Sequence, residues 1–134
     1  MWDDHEVVND FADREFKRAD SNGDGCGDLP GITGKLAYLK RLGIDALWIS
    51  PIYASPKADN GYDISDYLAT DPDYGTLADF AALSAGLRQR GLRVILDQVL
   101  NHTSDQHPWF VESRSSRDNP KRDWYLWVDA KGFS

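Results

Sequence analysis

Oxygen-bearing side chains crowd one short stretch, Asp20-Ser21-Asn22-Gly23-Asp24-Gly25-Cys26-Gly27-Asp28. Carboxylate or amide oxygens at Asp20, Asn22 and Asp24, a backbone carbonyl at Cys26 and a carboxylate at Asp28 match the first nine positions of a calcium loop. Glycine supplies the sharp turn, and oxygen ligands select a hard cation. An EF-hand needs a bidentate Glu at the twelfth position, where this chain has Gly31, so the surrounding motif is not an EF-hand. The plainer alternative is an acidic, Gly-rich turn without metal. A second group gathers around Asp97, which ends the apolar run Val94-Ile95-Leu96 and is followed by Asn101, His102 and Thr103. A carboxylate leaving a buried strand must be paired or functional, because burying it alone is costly. His102 reads either as a structural histidine or as part of the same site. Between these groups, the stretch from Asp59 through Tyr62 and Asp63 to Asp66 and Tyr67 sets carboxylates beside aromatic faces. That combination holds sugar hydroxyls and stacks on the apolar side of a sugar ring; the alternative is a polar turn with two packed tyrosines.

The elements that must position these groups alternate. Ile32, Leu36, Leu39 and Leu42 recur at helical spacing, with Asp28 to cap, Pro30 in the first turn and Gly43 to close, which predicts a helix over 30–42. The apolar stretch 45–50, ending at Pro51, predicts a strand buried on both faces. A second helix is expected over 77–90, with Thr76 and Asp79 as a capping box and Gly91 as terminator, then a buried strand over 92–96. This order predicts βαβ units, a parallel sheet and the α/β class. Segments 51–75 and 97–134 are far longer than ordinary connections, and long loops at the carboxyl ends of parallel strands are where such folds keep their chemistry. Residues 1–19 are charged and weakly patterned, with Val7, Val8, Phe11 and Phe16 as candidate anchors and no choice between helix and strand.

Composition narrows the function classes. The 134 residues include 22 acidic against 15 basic side chains, a net charge of -7, which argues against a nucleic-acid partner. No apolar run approaches the roughly 18 residues of a membrane span. The acidic start lacks the pattern of a signal peptide, and the single Cys26 suits a reducing compartment. A cytoplasmic protein is the expectation.

The stretches DSNGDGCGDLPGI, LGIDALWISPIYASPKADNGYDISDY and VILDQVLNHTSDQHPWFVESRSSRDNPKRDWYLW strongly resemble the amino-terminal part of alpha-glucosidases of the alpha-amylase superfamily, the group that includes oligo-1,6-glucosidase, trehalose synthase and sucrose isomerases. The resemblance covers roughly residues 20–128. It implies a partial (β/α)8 TIM barrel: about the first three βα units plus the start of the inserted small domain. The implied division is a divergent segment 1–19, a partial barrel with the metal loop over 20–100, and the start of the inserted domain over 101–134. Asp20, Asn22, Asp24, the Cys26 carbonyl and Asp28 would bind structural calcium or magnesium. Asp59, Tyr62 and His102 match positions that hold a glucosyl unit, and Asp97 opens the first shared active-site motif, here DQVLNH. The partners implied are alpha-linked glucose oligosaccharides.

Two departures from the family pattern qualify the expectation. Where the family carries its first strand, this chain reads NDFADREF, so that strand is expected to be eroded or absent. A complete barrel takes about 250 residues, so this chain is expected to stop after roughly the third strand. Family members cleave with retention through an Asp nucleophile and a Glu acid/base on later strands. No catalytic residue is therefore assigned here, and a truncated alpha-glucosidase, inactive alone, is the leading expectation. The alternatives are a non-enzymatic sugar- or calcium-binding module, and a partial barrel that self-associates through an exposed sheet edge.

Overall fold

A computed structural model describes residues 19–128. The candidate anchors in 1–18 lie outside the described residues. Helix α1 (Leu29–Gly34) starts where Asp28 Oδ1 accepts the Gly31 N–H at 2.7 Å, with Pro30 in the first turn, where its missing N–H costs nothing. Gly31 is required there, because a Cβ at that position would collide with the Ala19 carbonyl.

The single helix expected over 30–42 is two. Lys35, at φ -99° and ψ 0°, separates α1 from α2 (Leu36–Leu42), and its N–H bonds the Ile32 carbonyl three residues back. That tighter closure follows Gly34, a weak helix former. It leaves Ile32, Leu36 and Leu39 all in the core. Gly43, at φ 84°, ends α2 in the left-handed conformation that glycine adopts freely.

Strand β1 (Ala46–Ile49) runs parallel to a later strand, Arg93–Leu96, with Ala46 opposite Arg93 and Ile49 opposite Leu96. Between them lie a short hairpin and helix α3 (Leu77–Gln89). The hairpin pairs β2 (Tyr53–Ala54) with β3 (Asp66–Thr70), antiparallel and with an irregular register; Arg93–Leu96 is thus β4. The Thr76–Asp79 capping box forms as the sequence predicts: Thr76 Oγ1 accepts the Asp79 N–H, and Asp79 Oδ2 accepts the Thr76 N–H.

The core lies on the helix side of the β1–β4 pair. Leu29, Ile32, Leu36 and Leu39 meet Leu83 and Leu87 of α3, with Leu47 and Ile49 from β1 and Val94 and Leu96 from β4 against them. Burial on both strand faces, the sequence expectation, does not hold. Ile95 alternates to the far side and is 53% exposed, because among the described residues each strand has one neighbour and the helices cover one face.

Past β4, helix α4 (Pro108–Ser115) and a 3-10 turn (Arg122–Trp124) pack together. Their hub is Ser113, fully buried: its hydroxyl donates to the Arg122 carbonyl at 3.1 Å, and Trp127 Nε1 donates to its Oγ at 3.1 Å. Neither the hairpin nor α4 was expected from local patterning.

Candidate functional site

Asp97 is the first residue past β4, and its N–H donates to the Ile49 carbonyl at 2.9 Å, so the ladder carries it to the carboxyl ends of both parallel strands. Its Oδ2 accepts the Tyr62 hydroxyl at 3.0 Å. Tyr62 arrives from the long connection after β1. There Asn60 and Gly61, at φ 50° and 97°, turn the chain, and the Tyr62 N–H donates to the Asp59 carbonyl at 2.9 Å. His102 Nε2 lies 3.0 Å from the Tyr62 carbonyl. A carbonyl only accepts, so Nε2 carries the proton. The structure thus brings Tyr62, Asp97 and His102 together, with Asp59 joined to Tyr62 through its backbone carbonyl. Tyr62 and Asp97 are half-buried, whereas Asp59 and His102 are exposed. Such a group can offer a carboxylate, an aromatic face and an imidazole to one polyol face.

Residues outside the assigned sugar-binding set hold this arrangement. The Tyr67 hydroxyl lies 2.6 Å from the Val99 carbonyl and 3.0 Å from that of His102, pinning 99–102 to the hairpin. Tyr53 donates from its hydroxyl to Gln98 Oε1. Lys57, at φ 61°, binds Asp71 Oδ1 at 2.9 Å and also Asp73, and lies 5.4 Å from the Tyr74 ring. These acceptors raise the Lys57 pKa above the ordinary lysine value, with the Asp73 bond the largest cause. The tyrosines are visible in the sequence, but the reach of a hydroxyl over some thirty residues is not.

In the 20–28 loop the oxygens turn toward backbone N–H groups. Asp20 accepts from Gly23 at 2.6 Å and Gly25 at 2.9 Å, and these bonds, Gly25 first, hold its carboxyl below the usual range. Asn22 Oδ1 accepts from Asp24, and Asp24 Oδ1 from Cys26. Asp28 accepts the Ser21 N–H and hydroxyl on Oδ2 while capping α1 with Oδ1. The donor set is hard oxygen ordered by the backbone. Among the described residues, no three side chains of the His, Cys, Asp and Glu types gather as a metal-holding group. Burial, then the Asp24 charge, pushes the Cys26 thiol pKa up, so the thiol stays protonated, while its carbonyl remains available as an oxygen ligand.

Beside the Tyr62 group opens a groove of about 1050 Å³, walled by Tyr67, Leu100, Trp109, Trp124 and Leu126 and sharing His102 with the site. The Trp109 ring stacks on Tyr67 at 6.3 Å and meets Trp124 edge-on at 5.3 Å.

Parallel strands joined through a helix, with polar and aromatic side chains at their carboxyl ends, define the α/β class and its usual site. The chain belongs to the alpha-amylase family: the description "Alpha amylase, catalytic domain" matches residues 13–133. A probable alpha-glucosidase of Rhizobium meliloti is 57% identical over 125 residues, covering 93% of this chain and 22% of that protein. An oligo-1,6-glucosidase of Parageobacillus thermoglucosidasius is 51% identical over 131 residues, covering 98% of this chain and 23% of its own length. The crystal structure of the trehalulose synthase of Pseudomonas mesoacidophila MX-45 superposes with a TM-score of 0.81 at 60% identity, over 85% of this chain and 20% of that one. The fold is accordingly the amino-terminal part of a (β/α)8 barrel, open rather than closed among the described residues. The chain spans about a fifth of the length of the curated relatives it matches. No described helix is long and apolar enough to cross a membrane.

Proposed function

We propose that this chain carries the glucose-holding part of an alpha-glucosidase pocket, acting on alpha-linked glucose oligosaccharides. The observation that supports this reading is the bonding of Tyr62 to Asp97 through its hydroxyl and to His102 through its carbonyl at the carboxyl ends of β1 and β4. Asp59 and Asp97 accept sugar hydroxyls, the Tyr62 ring covers an apolar ring face, and His102, whose Nε2–H is taken by the Tyr62 carbonyl, accepts a sugar hydroxyl on Nδ1. Retaining cleavage needs a nucleophile and an acid/base about 5 to 5.5 Å apart. By the family pattern neither Asp59 nor Asp97 belongs to that pair, so these residues bind and orient rather than cleave. Nitrophenyl alpha-glucoside tests this directly: the 134-residue chain should turn it over no faster than buffer while binding methyl alpha-glucoside weakly. Turnover that vanishes in Asp97→Asn would overturn the assignment.

For the 20–28 loop the proposal is a structural calcium or magnesium ion held by Asp20, Asn22, Asp24, Asp28 and the Cys26 carbonyl, supplying charge that ties the loop to the start of α1. Its support is the all-oxygen donor set at alternate positions, with loop amides already ordering three of the side chains. Self-association is proposed for the isolated chain, since Leu68, Leu100 and Leu126 are 87%, 80% and 101% exposed. A cytoplasmic setting without nucleic-acid or membrane partners is proposed from the free Cys26 and the acidic balance.

A further inference from the structure

We propose that Asp63 is a positioning residue for the glucose-holding loop: its carboxylate gathers the backbone of residues 55–59 and thereby fixes where Asp59 and Tyr62 stand. The proposal rests on the reading of Asp59 and Tyr62 as glucose-binding residues.

Asp63 is 9% exposed and uses both carboxylate oxygens within its own loop. Oδ1 accepts the Ser55 hydroxyl at 2.8 Å and the Asp59 N–H at 3.0 Å, and Oδ2 accepts the Ala58 N–H at 2.9 Å. Ser55 Oγ in turn accepts the Lys57 N–H at 2.9 Å. One side chain therefore holds two backbone amides directly and a third, that of Lys57, through Ser55. The loop needs such a centre, because Lys57 and Asn60 both sit at positive φ, a region that side chains other than glycine enter at a cost.

The centre is itself anchored. Ile64, next in sequence, is fully buried, and its carbonyl accepts the Ser104 N–H at 2.8 Å, while the Ser65 N–H bonds the Ala54 carbonyl at 2.9 Å. From this anchor the geometry passes outward through Asp59, whose N–H is held by Asp63 and whose carbonyl holds Tyr62, to the Tyr62 hydroxyl on Asp97. Burial works to raise the Asp63 pKa, but the Ser55 hydroxyl and the loop amides outweigh it and keep the carboxyl below the usual range. The acceptor is therefore charged at neutral pH, and hydrogen bonds to a charged acceptor are the stronger kind.

The test is a nuclear magnetic resonance titration of the full chain with methyl alpha-glucoside. Asp63→Ala should weaken affinity about tenfold and move the Tyr62 ring signals toward those of a solvated tyrosine, while the Leu83 methyl signals of the core stay native. Adding Asp63→Ala to Tyr62→Phe should cost less than about twofold more, because the two act through one contact. Asp63→Asn keeps one oxygen acceptor and should restore part of the affinity. A folded Asp63→Ala with unchanged affinity and unchanged Tyr62 signals overturns the proposal. If that variant does not fold, Ser55→Ala and Asp63→Asn decide: intermediate shifts of the Tyr62 signals support it, and unchanged signals in both refute it. Should the unaltered chain bind no glucoside, the functional reading fails, and the Tyr62 signals alone judge the positioning role.

Discussion

The Tyr62 hydroxyl donates to Asp97 Oδ2 at 3.0 Å across 35 residues of sequence, joining the connection after β1 to the end of β4. It is the bond that closes the site, and both partners are half-buried. Tyr62→Phe keeps the ring and deletes the bond. Discounted for solvent, the loss should lower stability by about 1 kcal/mol, seen as a lower urea midpoint at unchanged slope. An unchanged midpoint would mean the bond contributes nothing net.

Acid should loosen the α4 segment through His107. Its Nδ1 accepts the Trp109 N–H at 3.1 Å as the cap of α4, and its ring packs 4.5 Å from that of Trp109. Burial lowers its pKa, against a smaller opposing pull from Asp66. The folded chain thus binds this proton more weakly than the unfolded chain, whose histidine titrates near about 6.5. Stability from this group is full above that value, falls as pH drops through it, and is gone below the depressed folded-state value. Urea midpoints should decline between about pH 7 and pH 5, and His107→Gln should flatten that decline. A decline identical in the variant would assign the effect to other groups.

Calorimetry with calcium tests the 20–28 loop. Asp24→Ala should abolish binding, whereas Cys26→Ser should leave it nearly intact, since the proposed ligand is the backbone carbonyl. Equal loss in both variants, or no binding by the unaltered chain, would return the loop to a metal-free turn held by its own amides.

Sedimentation velocity reads the exposed apolar surface. The chain should form dimers or larger species at micromolar concentration, and Leu68→Lys on β3, together with Leu126→Lys, should shift it toward monomer. A monomer at every concentration would show that these side chains are tolerated in water.

Local chemistry made several parts of this protein legible from sequence alone. Thr76 and Asp79 cap α3 because a threonine and an aspartate three residues apart satisfy each other's backbone whatever surrounds them. β1 and β4 stand out as short apolar runs closed by Pro51 and Asp97, and their parallel pairing follows from the helix between them. The motifs flanking them carried the family resemblance, which the match over 13–133 bears out. Tertiary structure alone decided the rest. β2 is two residues long, too short for any alternation, and pairs with β3 only because Asp71 N–H reaches the Ile52 carbonyl and Ser65 N–H the Ala54 carbonyl. The break at Lys35 seats Ile32, Leu36 and Leu39 on one core. The meeting of Tyr62, Asp97 and His102 depends on two connections, the one after β1 and the one after β4, opening at the same end of the sheet. Local propensity sees a few neighbouring residues, whereas loop closure and shared burial act between residues dozens of positions apart.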